Sequence, residues 1–170
     1  GRAKALCITE DVSQFHPTHI LLRGSPHAPG DEVTPGFPSV LSPPEAKMPE
    51  IQEGATSSGR RAVLAHWIAS PENPLTARVM VNRIWQFHFG RGIVRSSSDF
   101  GFQGTAPTHP ELLDWLATQF VQKGWSVKQM HRLIMKSAAY QMSSAARREA
   151  LKKDPVNDLF WRFDMRRMSA

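Results

Sequence analysis

Residues 73–104 read NPLTARVMVNRIWQFHFGRGIVRSSSDFGFQG, and this stretch decides the fold. Ala77, Val81, Ile84, Trp85 and His88 recur at the three- and four-residue spacing of one helix face. Arg78, Asn82 and Arg83 lie beside that stripe. Asn73 followed by Pro74 predicts the helix start, with an amide side chain as cap and a proline where its missing N–H costs nothing. Gly90 follows the last apolar residue and predicts a left-handed helix end. Gly92 lets the chain turn sharply into a short extended Ile93–Val94, and Ser96 to Gly104 reads as a tight, glycine-flanked loop.

Downstream, Thr108 and Glu111 have capping-box spacing, with Pro110 in the first turn. They open a helix with the stripe Leu112, Leu113, Leu116, Phe120 and Val121, stopped at Gly124. Ser126 and Gln129 repeat the capping pattern before Val127, Met130, Ile134 and Ala138. Residues 143–153 are polar and basic, a loop or an exposed helix. Asp154-Pro155 then predicts a last helical piece bearing Leu159, Phe160 and Phe163. Upstream, Val63, Leu64, Trp67 and Ile68 share one face of a helix that ends at Ser70-Pro71.

The N-terminal third differs. Ala5–Glu10 and Thr18–Gly24 are short apolar runs suited to a pair of strands. Prolines crowd residues 25–58 and exclude helix, which predicts an extended segment anchored by Val33, Phe37, Val40 and Leu41, then a linker from Pro43. The predicted architecture is therefore mainly α. Residues 59–170 form a compact, bundle-like helical body, and residues 1–58 form an irregular, short-stranded segment rich in Pro and Gly.

Composition narrows the chemistry. The 170 residues are 41% hydrophobic and 21% charged, within the range of globular domains. Cys7 is the lone cysteine, so the chain builds no internal disulfide, no thiolate zinc site and no C-x-x-C-H haem attachment. No apolar run approaches the ~20 residues of a membrane span, and no signal-peptide pattern opens the chain. With Gly1 first and Ala170 last inside a helical pattern, the sequence reads as a piece of a longer protein. The formal charge is +6, unevenly spread: net −3 over residues 1–59, +6 over 60–146 and +3 over 147–170. A basic body suits an anionic partner such as an acidic polysaccharide, although a solvated helical surface explains the same charge and nucleic acid is disfavoured.

Few constellations carry chemistry. His16 and His19 have a spacing that metals use, but no carboxylate or thiolate sits beside them. Asp99-Phe100-Gly101 lacks every other kinase element, and Gly90-Arg91-Gly92 follows a helix, not the strand of a dinucleotide fingerprint. His66, His88 and His109 could meet if their helices pack together, with Asp99 or Glu111 beside them. We take His88, Asp99 and His109 as the candidate catalytic residues, against a structural role as helix-end groups. Arg78, Asn82, Arg83, Trp85 and Arg91 are the candidate binding residues. Arg95, Arg132 and Trp125 extend that face, while an Arg83–Asp99 salt bridge tying down the loop is the structural alternative. No metal site is expected.

Several phrases together resemble one family. They are Pro71-Glu72-Asn73-Pro74-Leu75-Thr76-Ala77-Arg78, Val81-Asn82-Arg83-Ile84-Trp85, His88-Phe89-Gly90-Arg91-Gly92-Ile93-Val94 and Ser98-Asp99-Phe100-Gly101, followed by residues 107–117 (PTHPELLDWLA) and Gly124-Trp125-Ser126-Val127-Lys128. Arg23-Gly24 and Val33-Thr34-Pro35-Gly36 add an N-terminal phrase. The chain is similar in these to planctomycete surface-type domains, domain of unknown function 1553. The resemblance implies a parent protein exported to the periplasm or cell surface, with further domains that often include a c-type cytochrome module. Any haem then belongs to that partner module. It assigns no catalytic residue.

Overall fold

In the computed structural model, residues 9, 10, 12, 16–165 and 167 are described. Cys7 and most of the expected Ala5–Glu10 strand lie outside them. The chain divides into two compact units between Asn73 and Pro74. Helix Arg60–Ile68 thereby falls in the first unit, whereas the sequence placed it at the start of the helical body.

In the first unit, β1 (Thr18–Leu21) pairs antiparallel with β2 (Pro29–Val33), in the register Thr18 with Val33, His19 with Glu32 and Leu21 with Pro29. The partner that Thr18–Leu21 shows thus comes from the proline-rich segment, and the other expected strand, Ala5–Glu10, lies mostly outside the described residues. The reason is local. A 3-10 turn at Leu22–Gly24 reverses the chain, with Arg23 and Gly24 in the left-handed region, and the Leu22 N–H donates to the Ala28 carbonyl at 3.0 Å. Pro29 opens its strand, a position where a missing N–H is tolerated. A second 3-10 turn covers Ser39–Leu41.

Helix α1 (Arg60–Ile68) begins after Gly59, whose φ is 74° and whose hypothetical Cβ would lie 2.6 Å from Pro49 Cγ. The Glu10 carboxylate accepts from the Ser58 N–H at 2.7 Å and from Ser57 Oγ at 2.9 Å, and pairs with Arg61 at 3.4 Å. An anion at a helix N-terminus meets unpaired N–H groups and the positive end of the dipole. Trp67 stacks on Phe37 with ring centroids 4.6 Å apart.

The second unit carries α2 (Thr76–Phe89), α3 (Pro110–Gln122), α4 (Val127–Met135) and the short α5 (Arg148–Lys153). Helices α2, α3 and α4 pack on one another. Their stripes meet in a core of Val81, Ile84, Trp85 and Phe89 from α2, Leu113, Leu116 and Phe120 from α3, and Met130 and Ile134 from α4. Ile93 and Val94, just past the glycine elbow, are buried in the same core. The protein is thus mainly helical, with a compact helical body and a short-stranded N-terminal segment.

Three boundaries differ from expectation. Helix α2 starts at Thr76, two residues past Pro74, and the Asn73 amide donates to the Trp67 carbonyl at 3.4 Å. The residue before α3 is His109, not Thr108, and no side chain caps it. Thr108 is drawn to the elbow, where its N–H and hydroxyl both donate to the Ile93 carbonyl, at 3.0 and 3.3 Å. The expected helix after Asp154 is a run of turns. The Asp154 carboxylate takes the N–H groups of Asp158 and Leu159 at 2.8 Å each, and Asn157 bonds the Arg162 main chain through both ends of its amide. Short polar side chains that satisfy nearby backbone groups compete with the helix in this way. Ser126 does cap α4, accepting from the Gln129 N–H at 3.3 Å.

Candidate functional site

Gly90 ends α2 in the left-handed region, with φ 82°. The chain then doubles back against the helix it has just left, and Asn82 receives it. The Asn82 amide donates to the Val94 carbonyl at 2.9 Å and accepts the Val94 N–H at 2.8 Å, with Asn82 fully buried. Gly92 makes room for this clamp. A Cβ there would sit 2.6 Å from Asn82 Nδ2, 2.8 Å from its Oδ1, and against the Val94 carbonyl. The two glycines of the elbow therefore act for different reasons, one conformational and one steric.

The loop beyond the elbow holds itself together. Asp99 Oδ1 accepts the Gly101 N–H at 2.8 Å, and the Asp99 carbonyl accepts Ser96 Oγ at 2.7 Å. Arg83 donates to Ser98 Oγ at 3.3 Å, so the expected Arg83–Asp99 bridge is replaced by a neutral contact one residue earlier. Ser97 Oγ donates to Gln86 at 2.9 Å.

The candidate arginines have partners too. Arg78 pairs with Asp114 at 2.6 Å and donates to the Pro74 carbonyl, also at 2.6 Å. Arg91 pairs with Asp164 at 2.5 Å and donates to the Val156 carbonyl, while Arg95 pairs with Asp158. These contacts fasten the C-terminal turns onto the elbow. Between them lies an open cleft of about 570 Å³ lined by Arg91, Arg95, Val156, Arg162 and Asp164. Trp85 is buried, stacked on Phe89 at 4.2 Å and edge-on to Phe160 at 5.4 Å. Trp125 is likewise edge-on to Phe120 at 5.3 Å.

His66 belongs to the first unit, and His88 and His109 to the second. His109 Nδ1 lies 3.0 Å from Thr108 Oγ1, with its ring 5.9 Å from that of Phe160. His88 Nε2 lies 2.8 Å from His131 Nδ1, and its ring meets Tyr140 edge-on at 5.4 Å. His131 went unnoticed in the sequence. The available signal was that His131 follows a core methionine on α4. Among the described residues, no three His, Cys, Asp or Glu side chains converge as metal ligands would. What the arrangement can do chemically is share one proton between two imidazoles across the α2–α4 contact.

Fold and site define a helical domain organised around a clamped glycine elbow. The chain belongs to the PSD1 family, proteins of unknown function (DUF1553), whose family model matches residues 60–170. No curated protein and no solved structure is similar enough to the chain to match it.

Proposed function

We propose that this chain is a non-catalytic interaction module of a larger exported protein, working beside a c-type cytochrome module of the same parent. The observation that supports this reading is how the distinctive polar residues are spent. Asn82, Asp99, Arg78 and Arg91 bond to nearby main chain, and His109 Nδ1 lies against the hydroxyl of its neighbour Thr108. A catalytic site needs such groups aimed at a common point where a substrate atom can sit. Here they hold a rigid surface. The cytochrome association and the export rest on the family resemblance; any haem sits in the partner module, because a lone cysteine cannot make the two thioether links of C-x-x-C-H.

The test is titration calorimetry of the chain with the cytochrome module of its parent protein. Saturable binding tighter than about 100 μM is expected, and no heat at about 1 mM would overturn the reading. One observation favours a second reading, an enzyme acting on anionic polysaccharide or in electron transfer. It is the 2.8 Å contact of His88 and His131, which suits acid–base work. On that reading, His88→Gln would abolish turnover of a sulfated polysaccharide, or electron transfer from the reduced cytochrome, at unchanged Tm.

A further inference from the structure

Helices α3 and α4 meet along a second groove, of about 480 Å³, lined by Trp115 of the 107–117 phrase and otherwise by residues outside the motif phrases. Its floor is Trp115 and Leu133, and Lys123, Gln129, Arg132 and Lys136 stand around it. Trp115 is 49% exposed, a large ring on α3 that the core does not use. Arg132 and Lys136 are four residues apart at one end of α4, so both rise on the same side of the groove.

The charge of this surface is one-sided. From Trp115 to Arg148 the sequence has six Lys or Arg and no Asp or Glu. Among the described residues, Lys123, Arg132 and Lys136 take part in no ion pair. The carboxylate beside Trp115 in sequence, Asp114, is held by Arg78 at 2.6 Å. These cations differ from Arg91 and Arg95, whose charges are matched by Asp164 and Asp158.

We propose that this groove docks an acidic segment of a partner protein. The segment sets an apolar side chain on Trp115 and Leu133 and its carboxylates against Lys123, Arg132 and Lys136. The assignment rests on the interaction-module reading and names the surface and the chemistry it takes. An acidic peptide fits better than a sugar or a nucleic acid. The lining is poor in acceptors: besides the Gln129 amide there is only the Ser137 hydroxyl, which gives its proton to the Ile134 carbonyl at 2.6 Å and already accepts the Tyr140 N–H at 3.3 Å. A hydroxyl-rich sugar needs acceptors as well, and single-stranded nucleic acid needs successive aromatic platforms where this groove has one.

The probe is a synthetic peptide of repeated Asp-Glu-Phe-Glu, with its Asn/Gln counterpart and a heparin-derived oligosaccharide as controls, each titrated into isotope-labelled chain. The acidic peptide is expected to shift the Trp115 indole N–H and the amides of residues 129–137, and to bind at least about tenfold more tightly than its neutral counterpart. Trp115→Ala is expected to weaken it roughly 30-fold, the scale of a buried tryptophan anchor. Arg132→Gln with Lys136→Gln is expected to weaken it roughly tenfold or more and to flatten its salt dependence. Equal affinity for the neutral peptide, affinity untouched by these surface variants, or tighter binding of the oligosaccharide would each overturn the proposal. So would no shift at about 1 mM. If the cytochrome module still binds a chain carrying Trp115→Ala and both Gln substitutions, the groove assignment falls while the interaction-module reading stands.

Discussion

At the scale of single residues, the elbow gives the sharpest consequences. Removing the Asn82 amide strands a buried N–H and a buried carbonyl of Val94. Each unmet group costs about 1–3 kcal/mol, so Asn82→Ala is expected to lose about 2–4 kcal/mol in urea unfolding. Gly92→Ala must break the same clamp, because its methyl group needs the space of the Asn82 side chain. The two losses should then fall well short of additive in the double variant. Additive losses would mean that the contacts are independent. Glu10 supplies a pH prediction. The Ser58 backbone N–H, with help from the Ser57 hydroxyl and Arg61, holds its carboxyl below the ordinary carboxylate value. A depressed carboxylate stabilises the fold above its unfolded value, and the effect fades as pH falls through the lower folded value. Exchange protection of the Ser58 amide should therefore drop on acidification below about pH 4.5, the ordinary value, and Glu10→Gln should remove that pH dependence.

At the scale of elements, the three central helices were legible because each repeats its apolar residues at helical spacing, and those stripes are the residues that meet in the core. Ser126 was legible as a cap; its replacement by Ala should cost about 1 kcal/mol. The hairpin partner was hidden because Pro-Gly-Asp-Glu-Val has one β-branched residue in five and is recruited by the turn before it. The stretch after Asp154 was misread because its apolar spacing suits a helix, whereas the Asp154 and Asn157 side chains take the backbone elsewhere. Phe160 still reaches the core, edge-on to Trp85 and Phe89. Phe160→Ala is accordingly expected to cost about 3–5 kcal/mol, and Leu159→Ala, at an exposed neighbour, less than about 0.5 kcal/mol. Similar costs at the two positions in chemical denaturation would show that this segment does not pack as described.

At the scale of the whole molecule, the candidate site was the least legible part. Hydrogen bonds such as Asn82 to Val94, and ion pairs such as Arg91 to Asp164, join residues that only the folded chain brings together. From sequence alone these groups looked available to a ligand. The structure instead shows them engaged with one another, and it leaves Trp115 and its cations facing outward on α3 and α4. On this account the elbow residues build the surface, and Trp115 with Lys123, Arg132 and Lys136 meets the partner.

The most direct test is an NMR titration of the isotope-labelled chain with the cytochrome module of its parent protein. The account predicts progressive shifts along α3 and α4 around Trp115, with the Gly92 and Val94 amides unmoved. Shifts centred on His88, Asp99 and His109 would contradict it, and would make those residues a site after all.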